Sequence, residues 1–252
     1  MIAPHTRTVA AMTAGERLQD ALERFFALRQ HGDDRLFRQR LNTLQTWQSE
    51  RLYRTHRDIL ELPDNAPAVE FLFTDVYGGR DLTPVASEIR RALPKALKLL
   101  PDRVMATSAS VLDTAVLTQV LDEHLAEQMG PALDQPLTEV AYAAAYRTQG
   151  RDDDRARQLL LISEIGVHID KYVRSRMIQA TFRMVRRPAH AAGFGSLYDF
   201  LDHGFGAMRP LHSVNDLLGR LAQRERVVMQ RLLAGSRDPF KAPFHPASPT
   251  EH

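Results

Sequence analysis

Phe71-Leu72-Phe73-Thr74-Asp75-Val76-Tyr77-Gly78-Gly79-Arg80-Asp81 is the stretch on which the reading of the fold turns. Large apolar residues give way to polar ones, paired glycines follow, and an Arg-Asp pair closes it. Phe71, Leu72, Val76 and Tyr77 recur at helical spacing and predict one buried stripe of a short helix. Gly78 is placed to end that helix, since glycine enters the left-handed cap without steric cost. Pro67 opens it at the first turn, where a missing amide hydrogen costs nothing.

The same alternation of amphipathic run and breaker extends both ways. Upstream, Thr13 and Glu16 form a capping box, and Leu18, Leu22, Phe25 and Phe26 follow at helical spacing as far as Gly32. Asp33 or Asp34 caps a longer helix that ends near Pro63. Downstream, Thr83-Pro84 starts a helix interrupted by Pro94, a long one runs from Asp102 to Met129, and Thr138 caps another that ends at Gly150. The longest is expected over residues 152–187, opened by three aspartates at the positive end of its dipole. Ser196 is expected to cap a short helix weakened by Gly204 and Gly206, and Ser213 to start the last one. No alternating strand pattern and no repeat is present.

The fold class expected is therefore all-α, a single bundle-like domain of about eight to nine helices with no sheet. Residues 1–12 are expected to be a flexible N-terminal segment, 13–235 the helical domain, and 236–252 a Pro-rich mobile tail. At 252 residues the chain is long enough for a proper core, and its 44% hydrophobic and 25% charged content is ordinary for a soluble protein. A formal charge of +2 gives no field to hold a polyanion, so nucleic acid is not expected as partner. The chain has no cysteine, which excludes disulfides, thiolate metal sites and a Cys nucleophile. No signal-length apolar segment and no membrane span stands out, which makes cytoplasmic residence the expectation.

The opening stretch resembles the signature of a bacterial family of uncharacterised proteins named for a Phe-Phe-Leu-Glu-Glu-Leu-Tyr (FFLEELY) motif. Phe71, Phe73, Asp75 and Tyr77 carry the match, and Thr74 and Val76 depart from it. Further matching pieces include Leu112-Asp113, Leu121-Asp122, Ala145-Tyr146-Arg147, Arg187-Pro188, Asp199-Phe200-Leu201 and Arg224-Glu225, spread between Leu52 and Phe240. The resemblance implies a class and supplies no chemistry.

Candidate sites are sparse. Asp75, Tyr77, Arg80 and Asp81 would line a polar notch where the signature helix ends, or else anchor its turn and cap the next helix. Tyr142 and Tyr146 share a face flanked by Arg147, and Arg224-Glu225 interrupts the apolar stripe of the last helix. These nine residues are the candidate ligand-binding set; sequence leaves open whether the three polar insertions meet. Glu164 with His168 and Asp199 with His203, each at four-residue spacing, are weak metal candidates, because such pairs are common on solvated helix surfaces. No nucleophile elbow and no phosphate loop is present, so no catalytic residue and no cofactor is assigned. Arg183, Arg186, Arg187 and His190 near the end of the longest helix would complement its dipole, or else form an anion or acidic-partner patch. Arg51, Arg54 and Arg57 are expected on a solvated face.

The expected function is that of a cytoplasmic helical protein, without enzymatic activity, binding a small apolar or amphipathic ligand or a protein partner between its helices. One rival is a metal- or cofactor-dependent helical enzyme using the two carboxylate–histidine pairs. The other is a homodimeric structural or regulatory interaction module, which predicts exposed Leu or Met stripes along residues 152–187.

Overall fold

A computed structural model describes residues 12–28, 34–76, 82–99 and 101–244, with backbone alone at 96–99. The elements are all helical, and no strand occurs among the described residues. In chain order the α-helices are α1 (Ala14–Leu28), α2 (Arg35–Thr55), α3 (Arg57–Leu60), α4 (Ala66–Glu70), α5 (Thr83–Leu99), α6 (Asp102–Met129), α7 (Glu139–Thr148), α8 (Asp152–Arg174), α9 (Arg176–Met184), α10 (Arg186–Ala191), α11 (Gly195–Met208) and α12 (Val214–Leu233). A π-turn, Phe71–Val76, continues α4, and a 3-10 turn, Gly130–Asp134, follows α6.

The structure thus has twelve α-helices among the described residues, which overturns the expectation of eight to nine. The excess comes from breaks that neither Pro nor Gly marks. His56 separates α2 from α3, Ser175 separates α8 from α9, and Val185 separates α9 from α10. At Ser175 the backbone is extended and the hydroxyl accepts the Ile178 amide, so a new helix is capped inside what reads as one long run. Conversely, Pro94 lies within α5, and Gly204 and Gly206 lie within α11.

Several starts form as expected. Thr13 Oγ1 accepts the Glu16 amide at 3.2 Å while the Glu16 carboxylate accepts the Thr13 amide at 2.8 Å. Asp34, Thr138 and Ser213 cap α2, α7 and α12 through their side-chain oxygens. Ser196 does not cap α11. Glu88, reaching from α5, accepts the Ser196 and Leu197 amides at 3.3 and 2.7 Å instead.

Three apolar cores result, and the two long helices α6 and α12 each serve two of them. One core joins the α1 residues Leu18 and Leu22 to Ala109, Leu112 and Val116 of α6. A second joins Leu41 and Leu44 to Leu125 and Met129 of α6, Tyr142 and Tyr146 of α7, and Val228 and Leu232 of α12. The third holds Ile59, Phe71, Val173, Ala207 and the start of α12 at Val214, Leu217 and Leu218. Phe71, from the opening stretch, packs so closely on α11 that a Cβ at Gly204 would stand 2.9 Å from its ring. Glycine there permits the contact that fixes the signature helix. Tyr77, Gly78, Gly79, Arg80 and Asp81 lie outside the described residues, as do residues 1–11 and 245–252.

α6 with its 3-10 extension, Asp102–Asp134, is long and apolar enough by composition to cross a membrane. In the fold it packs against α1, α2 and α8 and buries Asp122 and Glu123 along with its aliphatic residues.

A buried polar seam and an unburied basic arm

The second core is apolar at one end and ionic at the other, and the change runs along a single face of α2. Leu41, Leu44, Gln48, Arg51 and Thr55 are its buried residues, recurring at three- and four-residue steps. The first two meet leucines; the last three meet charge. Arg51 Nη1 donates to both Glu225 oxygens at 2.6 Å, and His56 Nε2 lies 2.8 Å from Glu225 Oε1. Burial alone would raise the Glu225 carboxyl, but Arg51 and His56 outweigh it and hold it at about 2. Adjacent Arg224 grips the Asp58 carboxylate and donates to the Thr55 carbonyl at 2.9 Å, holding Asp58 at about 2.

Beside this cluster, Gln48 Nε2 donates to the Tyr142 hydroxyl at 3.4 Å, and the Tyr142 ring lies against Trp47 with centroids 4.4 Å apart. Asp122 of α6 is fully enclosed. Burial pushes its carboxyl up to about 6 against the pull of Arg155 and the amides of Gln45 and Gln48. The Arg155 guanidinium sits 5.0 Å from the Tyr146 ring, and burial raises that phenol well above its ordinary value. His56 Nδ1, Thr55 Oγ1 and Asp122 Oδ1 are buried without a hydrogen-bond partner among the described residues.

The candidate residues therefore divide. Tyr142, Tyr146, Arg224 and Glu225 come together in this seam, while Arg147 is exposed in the last turn of α7. Asp75 is buried on the π-turn beside the third core, 3.5 Å from His203. Tyr77, Arg80 and Asp81 fall outside the described residues. Sequence reading missed Gln48, Arg51, His56, Asp122 and Arg155. The sequence groups Arg51 with Arg54 and Arg57, but each three-residue step drifts about 60° around a helix and Arg57 lies past the His56 break in α3, so Arg51 turns into the seam while Arg54 and Arg57 stay exposed. The step from Leu41 through Leu44, Gln48 and Arg51 to Thr55 is the signal that would have found it.

Tyr142 is 1% exposed, with Trp47, Tyr146 and Phe240 against it, so its ring is core rather than the wall of an open cavity. Glu164 and His168 are exposed on α8, and Asp199 pairs with His190 at 3.0 Å rather than with His203. Among the described residues no group of three or more His, Asp or Glu side chains converges to hold a metal ion.

The α9–α10 segment has the opposite character. Neither helix buries a residue. Phe182 of α9 stacks on Tyr198 at 4.4 Å and meets Phe205 at 5.2 Å, and with the His190–Asp199 pair of α10 these contacts hold the segment to α11. Met177 and Met184 are left 72% and 73% exposed. Arg176, Arg183, Arg186 and Arg187 are exposed as well, and none makes an ion pair among the described residues. The helix-dipole account covers Arg183, in the last turn of α9, and His190, in the last turn of α10. The break at Val185 puts Arg186 and Arg187 at the start of α10, where the dipole disfavours cations.

Searches of curated proteins and of solved structures each found no similar chain. A family model described as a domain of unknown function, DUF8198, matches residues 27–239, which takes in the signature stretch, the seam and the arm, and the chain belongs to that family.

Proposed function

We propose that this chain is a non-enzymatic interaction module whose partner is a second copy of itself, paired antiparallel along the α8–α9–α10 run. One observation carries the reading: the run is acidic at one end and basic at the other, with exposed apolar side chains between. Asp152, Asp153 and Asp154 occupy the first turn of α8, Asp154 paired with Arg151 at 3.0 Å, and the four arginines that make no ion pair among the described residues lie beyond its far end. Between them Leu160 is 51% and Val167 41% exposed, followed by Met177 and Met184. Antiparallel pairing about a two-fold axis sets each acidic end against the other copy's basic end and makes both contacts at once. Sedimentation equilibrium at 1–50 μM is the test (a range set by roughly micromolar affinity). A dimer that weakens in high salt, and that Arg183→Glu with Arg186→Glu abolishes, is the expected result; a monomer throughout removes the reading.

Cytoplasmic residence and kinship with the bacterial FFLEELY-motif group belong to the same proposal. The matches at Phe71, Phe73 and Asp75 support the kinship. A second reading, binding between the helices, is favoured by one observation, the seating of Phe240 against Trp47, Tyr142 and Arg51.

A further inference from the structure

Beyond Gly235, which ends α12 at a φ of 71°, the chain turns back over the ionic end of the seam. Residues 236–244 read Ser-Arg-Asp-Pro-Phe-Lys-Ala-Pro-Phe, so two Pro-Phe pairs stand four residues apart. Pro239 is buried. The Phe240 ring occupies a box made by Trp47 at 6.1 Å, Tyr142 at 6.2 Å and the Arg51 guanidinium at 5.4 Å. Phe244 lies between two guanidinium groups, Arg224 at 4.8 Å and Arg231 at 5.4 Å. Arg231 also donates to the Lys241 carbonyl at 2.6 Å and to the Pro243 carbonyl. Among the described residues, no backbone hydrogen bond ties residues 237–244 to the helices.

This is how a groove holds an extended peptide. Two ring seats at fixed spacing read side chains, and one arginine reads main-chain carbonyls whatever their side chains. The seats are positioned by the fold rather than by the segment in them. Arg51 is fixed by Glu225, Arg224 by Asp58, and Tyr142 by Gln48 and the Trp47 ring. The groove also runs on past its occupant. An open depression of about 500 Å³ begins at Phe244 and continues along α12 past Arg220 and Gly219 to Asn215, with Ile59 at its side.

We infer that this groove is a docking site for an extended segment of a partner protein bearing two Pro-Phe pairs four residues apart, and that residues 239–244 are its intramolecular occupant. The clasp competes with the partner, so a free segment binds the intact chain weakly and a chain with an empty groove strongly. The groove and the α8–α10 run use different side chains, so this inference and the self-association reading stand or fall separately.

Trp47 is the chain's sole tryptophan and lies in the Phe240 box, so its emission reports the seat directly. The experiment titrates a synthetic nonapeptide of the 236–244 sequence into the full-length Phe240→Ala, Phe244→Ala variant and into the wild type. Expected is a saturable one-to-one change in Trp47 emission for the variant, with affinity at least about tenfold above that for the wild type. A nonapeptide with both phenylalanines replaced by alanine gives no change. The variant's helical circular dichroism is recorded alongside. Should the double variant unfold, Phe244→Ala alone carries the test, since its ring sits between the half-buried Arg224 and Arg231 rather than among the core aromatics. A folded variant that ignores the peptide, or that binds the alanine peptide equally, overturns the inference. Binding of two chains per event, by exchange of their own segments, overturns the partner assignment too.

Discussion

The seam between α2 and α12 and the arm formed by α9 and α10 hold similar side chains in opposite circumstances. Arg51, with 7% of its side chain exposed, faces the Glu225 carboxylate, which also holds His56; Arg183 and Arg186, on the arm, face solvent. Each carries an aromatic ring, Trp47 in the seam and Phe182 on the arm, but the first packs against the second core and the second is part of the arm's attachment. Removing a charged group from water is repaid only when its partner is already in place, and the seam meets that condition at Arg51 with Glu225 and at Arg224 with Asp58, while Asp122 is left with its burial only partly offset. The arm does not bury its cations at all. Charge in the seam therefore serves the fold, and charge on the arm is free for another molecule.

That contrast breaks most severely at Glu225. Glu225→Ala leaves Arg51 and His56 buried without their shared anion and is expected to cost about 3–5 kcal/mol in urea unfolding. Should the loss fall below about 1 kcal/mol, the seam is hydrated and its ions are not structural.

Asp122 gives the next effect, with the opposite sign. Its carboxyl titrates near 6 in the fold against 3.8 in a free chain. Between those values the folded state keeps a proton that the unfolded state has lost, so stability falls as pH rises through the window. The two-unit difference corresponds to about 3 kcal/mol at most. Asp122→Asn is expected to raise stability at pH 8 and to leave it unchanged at pH 4, read as paired denaturation curves. Glu225 and Asp58 act the other way, because their carboxyls are held at about 2. The stability they supply is present at neutral pH and is lost as pH falls from about 4.5 to about 2, and Glu225→Gln should flatten that acid limb.

Smaller effects sharpen the boundary. Thr13→Ala removes the reciprocal cap of α1 and should cost about 1 kcal/mol, seen as a lower Tm. Arg183→Glu with Arg186→Glu should change stability by less than about 0.5 kcal/mol while abolishing self-association, because neither arginine has an ion-pair partner to lose among the described residues.

How much of this was legible follows from where the signals lie. Helix starts were readable wherever the cap is local, as at Thr13, Asp34, Thr138 and Ser213, since the donor and acceptor are three residues apart. The α11 start was not, because its capping carboxylate, Glu88, comes from another helix. The breaks at His56, Ser175 and Val185 were hidden for a similar reason, since no Pro or Gly marks them. The seam was half visible. Tyr142, Tyr146 and Glu225 stood out as polar insertions in apolar runs, but their partners Arg51 and Gln48 looked like ordinary surface residues of α2. Gly204 read as a helix breaker, yet its role is to let Phe71 approach α11, which depends on a packing contact over a hundred residues apart in sequence.

The most direct test of the contrast between seam and arm is the molar mass of the wild-type chain by sedimentation equilibrium at low salt, from low to tens of micromolar concentration. A mass approaching twice that of the single chain, falling toward one chain as salt is raised, is the predicted result. A single-chain mass at every concentration and ionic strength would contradict the account and leave the arm's exposed methionines and unpaired arginines without a partner in this protein.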